Sequence, residues 1–192
     1  MNATYFETII PVPNKIGIDK YEQHRWLSGF LRIRDKYGIE HQFVSMHPDL
    51  PAINFRTHEA VESNSIQQVV TIEPGMNATF TIQLCVSQSR SQRSEDGTII
   101  RRVNTFPSAS SINSYVTKKL DEQSGINGEI KCISKLTMAN FHKHRKKFAI
   151  PYVDVVFSGT VDQPGTYKTA IETGIGKKRS LGFGMLRVLP NE

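Results

Sequence analysis

Two successive runs of strand, helix, strand, strand, helix and strand predict an α+β chain of two tandem ferredoxin-like βαββαβ units, closed by a C-terminal glycine-rich loop. Glu73-Pro74-Gly75 parts the runs, so the expected domains are residues 1–74 and 75–192. With 192 residues and 38% hydrophobic content, the chain can bury one sizeable core or two small ones. No apolar run reaches the roughly 18 residues that a membrane-spanning helix needs.

In the first unit, Tyr5 to Val12 reads as a strand stopped by Pro11 and Pro13. A helix follows to about Arg34: Asp19 can cap it, Glu22 completes a capping-box-like pattern, and Tyr21, His24, Leu27, Phe30 and Leu31 recur on one face. His41 to Met46 and Ala52 to His58 are strand-like, separated by His47-Pro48-Asp49-Leu50-Pro51. A short helix or turn over Glu59 to Asn64 and a strand from Ile66 to Ile72 complete the unit.

The second unit repeats the order without repeating the sequence. Ala78 to Val86 alternates as a strand, Ser87 to Gly97 reads as a polar, basic connection, and Thr98 to Phe106 is extended. A helix over Ser108 to Gln123 carries Ile112, Tyr115, Val116, Lys119 and Leu120 on one side, with Gly125 after it. Glu129 to Met138 and Ala149 to Gly159 are strands, and between them lies His142-Lys143-His144-Arg145-Lys146-Lys147. Gln163-Pro164-Gly165 turns into a short helix ending at Thr173, and the last strand ends near Leu189.

Lys and Arg (24) exceed Asp and Glu (18), giving a formal charge of +6 and a pI of about 9.4. A polyanionic partner follows, nucleic acid ahead of an anionic membrane, because no basic amphipathic helix stands out. Cys85 and Cys132 each sit in an apolar strand-like stretch and read as free buried thiols in a reducing compartment. No charged segment leads into an apolar one at the start, so the expected location is cytoplasmic.

The stretch Gly174-Ile175-Gly176-Lys177-Lys178-Arg179-Ser180-Leu181-Gly182-Phe183-Gly184-Met185-Leu186 sets four glycines and three consecutive cations between helix and strand. Glycine permits positive φ and close approach of backbone N–H groups, and the cations supply charge beside them, so the stretch reads as a phosphate-holding loop. A helix C-cap followed by a strand would account for any one of these glycines, but not for the whole stretch. A Walker loop is excluded because Gly176 and Gly182 have the wrong interval and no Lys follows. A dinucleotide fingerprint lacks its third glycine.

This stretch closely resembles the C-terminal glycine-rich loop of the CRISPR-associated RAMP proteins, which bind and cleave RNA on ferredoxin-like folds. In particular it resembles the version in the CasE repeat-processing endoribonucleases, where Gly-Ile/Val-Gly, a basic residue, a small residue and Gly-x-Gly-Leu-Leu recur in this order. At the other end of the chain, Ile18-Asp19-Lys20-Tyr21-Glu22-Gln23-His24-Arg25-Trp26-Leu27-Ser28 looks like the first helix of CasE proteins, whose catalytic Tyr and His stand at this spacing. By itself, Tyr-x-x-His on a helix reads as packing; the two motifs in the family's order point to Tyr21 and His24 as catalytic residues. The middle departs from the family, which carries an Arg-x-Arg-Ala-Asn-Pro-like stretch where this chain has Cys85-Val86-Ser87-Gln88-Ser89-Arg90-Ser91-Gln92-Arg93.

The resemblance implies metal-free cleavage of precursor CRISPR RNA at the base of a repeat stem-loop. His24 would act as general base or acid and Tyr21 would orient or stabilise the scissile phosphate. The products would be a 2′,3′-cyclic phosphate and a 5′-hydroxyl, with the cleaved RNA retained. The implied partners are the repeat hairpin, its mature RNA product and other subunits of a CRISPR effector complex; no cofactor and no metal are implied. RNA contacts are expected from Lys143, Arg145, Lys146 and Lys147 on a hairpin arm, and from Gly174, Gly176, Lys177, Lys178, Arg179, Ser180, Gly182 and Gly184 on the loop. Arg90, Arg93, Arg101 and Arg102, flanking a turn at Asp96-Gly97, are weaker candidates. His142 and His144 share a strand face, but no Cys or carboxylate cluster accompanies them to suggest a metal site. Two other readings stand beside this one. A catalytically silent RAMP subunit would bind guide RNA, and a general RNA-binding protein would have two RRM-like halves, though neither half shows the aromatic-rich strand such a module uses for stacking.

Overall fold

The structure, a computed structural model, describes residues 1–13, 20–33, 42–46, 52–143 and 146–189. In the first half, β1 (Asn2–Pro11), β2 (Gln42–Met46), β3 (Ala52–Thr57) and β4 (Ile66–Thr71) form an antiparallel sheet in the order β2-β3-β1-β4. Helix α1 (Lys20–Ile33) packs on it through Leu27 and Leu31, which meet Ile10, Ile53 and Phe55. That contact is the helical stripe read from the sequence, and it removes the apolar face of the helix from water. The capping role expected of Asp19 falls outside the described residues. Over Glu59 to Asn64 the chain makes a turn rather than a helix: Val61 N and Glu62 N both donate to Ser65 Oγ (3.2 and 3.0 Å), and Val61 is buried.

The second half follows the same plan with more built onto it. Strands β5 (Asn77–Cys85), β8 (Ile126–Ile133), β10 (Lys146–Val161) and β11 (Leu186–Leu189) make a sheet in the order β11-β5-β10-β8. Read strand for strand, this is the order of the first sheet. Helices α2 (Ile112–Gln123) and α3 (Pro164–Thr173) supply Val116, Leu120, Tyr167 and Ile171 to a core shared with Phe80 and Phe157. That core also takes Ala3, Tyr5 and Ile72 from the first half. β1 is therefore buried on one face by α1 and, nearer its start, on the other face by the second half.

Arg56, 4% exposed on β3, ties the halves together. It pairs with Glu7 at 2.9 Å, lies over the Tyr5 ring at 3.7 Å and donates to Ile171 O at 2.7 Å. Ile171 belongs to the last turn of α3, where helix carbonyls lack intrahelical partners and a cation is favourable. Thr4 N donates to Glu172 Oε1 (3.0 Å) beside it.

Three expectations are corrected. The polar connection after β5 contains a strand, β6 (Gln88–Arg93), which pairs with β7 (Ile99–Thr105) in a ribbon separate from both sheets. The residues of β6 are all polar or basic, so no apolar alternation marks it as a strand in the sequence. The strand expected over Glu129 to Met138 is two, β8 and β9 (Thr137–Lys143), because Ser134 to Leu136 face only Val153 and Asp154 on β10, which inserts a bulge. Cys132 is exposed whereas Cys85 is buried; it pairs with Val156 across the face of the sheet opposite Phe80 and Phe157. Among the described residues, no helix is long and apolar enough to cross a membrane.

Candidate active site

Tyr21 lies in the first turn of α1 and His24 in the next, both half-buried, with ring centroids 6.4 Å apart. Tyr21 carries the stripe of Leu27 and Leu31 past their own sheet and onto the second half. There Tyr21 meets Phe148 edge-on at 6.2 Å, and Phe148 stacks on Phe141, its cross-strand partner, at 5.2 Å and 13°. Phe141 contacts Phe183 of the glycine loop (6.4 Å), which contacts Tyr152 (5.5 Å). Phe141 and Phe183 form a third core cluster with Cys85, Ile150 and Leu181, distinct from the cores of the two halves, and Tyr21 and Tyr152 pack against it. Through it, the first helix, the β9–β10 hairpin and the glycine loop meet at one place.

The glycine loop is built by backbone geometry. Gly174, Gly176, Gly182 and Gly184 all have positive φ, between +77° and +86°. At Gly184 a Cβ would lie 2.0 Å from Ile175 O, so no side chain fits. Ile175 N donates to Gly184 O and Gly184 N to Gln83 O, each at 2.7 Å, which clamps the loop on itself and onto β5. The other glycine amides are also taken up inside the protein: Gly174 N by Ala170 O, Gly176 N by Gln123 Oε1, Gly182 N by Arg179 O. The expected cradle of glycine N–H groups is thus spent on shaping the loop. The groups it presents are Lys177 and Lys178, both exposed, and the half-buried Arg179. Lys178 is itself left-handed at φ +64°, a conformation that disfavours a side chain. Arg179 donates to Thr173 O (2.9 Å), so α3 ends between two arginines, one from each side. Ser180 stands in the 3-10 turn of Arg179–Leu181 that separates the two glycine pairs.

Of the hairpin cations, Lys143 and Lys146 face each other in register at the end of the β9–β10 pair and Lys147 is exposed. Arg145 and His144 lie outside the described residues. Arg90, Arg93, Arg101 and Arg102 occupy the β6–β7 ribbon, across the turn at Gly97 (φ +84°). Among the described residues no group of three His, Cys, Asp or Glu side chains converges as a metal site. Sequence reasoning missed Phe141, Phe148, Tyr152 and Phe183. The signal for the first two was an aromatic at each end of the basic tip, Phe141 before it and Phe148 after it, and only the strand register turns that into a stack. Arg56, a lone cation in the strand-like stretch Ala52 to His58, was the other legible sign.

The site so assembled offers an imidazole and a phenol side by side, with cations on two flanking elements. That is an arrangement for moving a proton at a polyanion. The family model described as CRISPR-associated protein matches residues 19–190, a span that includes α1, the hairpin and the glycine loop. The chain belongs to that family.

This CRISPR-associated protein shares its fold along nearly its whole length with solved relatives. Thermus thermophilus Cse3, bound to an RNA representing a pre-cleavage complex, is 18% identical with a TM-score of 0.64, over 98% of this chain and 100% of that one. Cas6e from Escherichia coli K-12 is 16% identical with a TM-score of 0.60, again over 98% and 100%. A chain of a CRISPR RNA-guided surveillance complex, in a pre-nicking state, is 13% identical with a TM-score of 0.66, over 95% and 98%. No curated protein sequence matches the chain. At these identities it is the fold that is shared.

Proposed function

We propose that this chain is a CRISPR endoribonuclease that binds a repeat stem-loop and cuts precursor RNA at the stem base without a metal ion. One observation carries the reading: Tyr21, whose ring lies 6.4 Å from that of His24, is packed in one cluster with residues of both the basic hairpin and the glycine loop. The likeness to an endoribonuclease bound to RNA and to a chain of an RNA-guided complex supports it.

RNA carries its own nucleophile. The 2′-oxygen attacks the adjacent phosphorus and forms the fifth bond; its proton passes to a base, the 5′-oxygen leaves, and that oxygen is protonated in turn. The ends are a 2′,3′-cyclic phosphate and a 5′-hydroxyl. His24 performs one of the two proton transfers, each typically worth about 10²- to 10⁴-fold in rate. Tyr21 holds a non-bridging oxygen of the phosphate in line. Lys177 and Lys178 from the loop, and Lys143, Arg145, Lys146 and Lys147 from the hairpin, neutralise the backbone near the cut and along the stem. Arg90, Arg93, Arg101 and Arg102 extend that contact along the ribbon. An A-form stem is read mainly through shape and backbone, which suits cations on strand arms. The chain acts in the cytoplasm, keeps its product and sits with other subunits of an effector complex.

The test is to express the protein in its native host, purify it in EDTA, and sequence and end-map the RNA that comes with it. A uniform small RNA ending after a hairpin in a 2′,3′-cyclic phosphate is expected. His24→Ala should lower single-turnover cleavage by about 10²- to 10⁴-fold with unchanged melting. Heterogeneous RNA with ordinary ends, or full cleavage by the alanine variant, would sink the nuclease assignment.

A further inference from the structure

We infer that Phe148 is a stacking platform for an unpaired nucleobase beside the scissile phosphate. The inference rests on the nuclease reading above and names a residue that reading does not use.

Phe148 and Phe141 are cross-strand partners in β9 and β10 with nearly parallel rings, yet Phe141 is fully buried and Phe148 is 37% exposed. The buried ring fixes the plane of the exposed one, so Phe148 is ordered before any ligand arrives, and that ordering entropy is not charged to binding. Its other ring contact is Tyr21, edge-on at 6.2 Å, and Tyr21 in turn lies 6.4 Å from the His24 ring. The three rings run in the order His24, Tyr21, Phe148. A phosphate held by the first two therefore places a neighbouring base within reach of the third.

Exposed single apolar residues are common and carry no meaning alone. This one lies on an arm whose next residue, Lys147, is exposed and cationic, and whose last paired rung is Lys143 opposite Lys146. An aromatic surface interleaved with cations is the combination that binds single-stranded nucleic acid, because every base has a π-face and every linkage a charge. The platform favours a base that has left its pair at the foot of the stem, with little regard to its identity. Holding that base out of the helix also frees the adjoining backbone to adopt the in-line geometry that 2′-hydroxyl attack requires.

The probe is a synthetic copy of the hairpin RNA that co-purifies with the protein, extended past its cut end by the next nucleotides of the repeat, carrying a 2′-deoxy sugar at the cut and 2-aminopurine on one side of it or the other. Wild-type protein and Phe148→Tyr should quench the fluorophore at one of the two positions. Phe148→Leu, which keeps apolar volume against Phe141 and Tyr21 and so keeps the fold, should not. An abasic nucleotide at the quenched position should weaken binding to the wild type by about 5- to 150-fold and to Phe148→Leu hardly at all. If Phe148→Leu quenches like the wild type and loses as much to the abasic site, the platform is wrong, whatever the cleavage rate. Quenching lost in Phe148→Leu with unchanged abasic sensitivity would also overturn it, because the ring would then only be propping Tyr21. Failure of the wild type to cut the all-ribose RNA is a separate result that removes the nuclease reading, and the platform with it.

Discussion

Among the described residues the sheet of the first half carries one helix, and the sheet of the second, with the same strand order, carries two. Where the first half has only the turn before Ser65, the second has α3, and α3 serves both halves: Tyr167 and Ile171 share a core with Ala3 and Tyr5, while the last turn receives Arg56. The candidate catalytic helix belongs to the half with the smaller core, and the second half holds the end that bears Tyr21 and His24. On the proposed function, chemistry and positioning are divided between two copies of one plan. Perturbing the second half should therefore change reactions at residues it does not contain.

The largest stability effect expected is from Gly184→Ala. Its Cβ would stand 2.0 Å from a backbone oxygen that cannot move alone, and φ is +84°. A loss of more than about 3 kcal/mol in urea denaturation should follow, with slower cleavage although His24 is untouched. Wild-type stability and rate in this variant would show that the loop does not hold the active face. Next comes Arg56→Ala, which leaves Ile171 O and the partly exposed Glu7 without their cation. We expect about 2–3 kcal/mol of destabilisation by thermal melting, and a melt that broadens as the halves uncouple. A sharp melt shifted by less than about 1 kcal/mol would mean the halves are joined by apolar packing alone.

A smaller, two-signed effect should come from Lys178→Gly. Relieving the left-handed backbone should stabilise the fold by about 1 kcal/mol, while RNA affinity falls and its dependence on log salt flattens by about 0.7 to 0.9. Affinity and salt slope both unchanged would remove Lys178 from the RNA contact. The smallest effect is expected at Tyr167, whose buried hydroxyl has no hydrogen-bond partner among the described residues. Burial, with Tyr5 nearby, pushes its phenol up from 10.0 to about 12. A raised folded-state pKa means the stabilisation is complete below pH 10 and disappears as pH climbs through about 12. Tyr167→Phe should be neutral or stabilising by up to about 1 kcal/mol at pH 7, and should remove that alkaline component from the stability–pH curve.

These differences also mark what could be read in advance. The stripe on α1 and the positive φ of the glycines are local properties, set by a period of three to four residues and by the absence of a Cβ, and the sequence displays both. The outward-facing Cys132 was not legible because it depends on which face of a strand finds a core, and β6 was not because its all-polar residues show no alternation. The Phe141–Phe148 stack and the reach of Arg56 to α3 depend on register and on contact across more than a hundred residues, as with Arg56 and Ile171 (115 apart). The use of the glycine amides inside the protein is of the same kind. Glycine content announces a tight backbone, but only the partner atoms say whether that backbone is turned toward a ligand or toward itself.

β10 runs without interruption for 16 residues from Lys146 to Val161, which at about 3.3 Å per residue is on the order of 50 Å. Its inner part lies between β5 and β8 and supplies Phe157 to the main core, whereas its outer part, as far as Ile150, is paired among the described residues with β9 alone. One strand therefore spans two regimes of local stability. Amide deuterium uptake along it should rise toward the tip, with the inner hydrogens exchanging only on global unfolding and the outer ones by fraying of the arm. The arm can then give way to a stem while the sheet that anchors it stays closed.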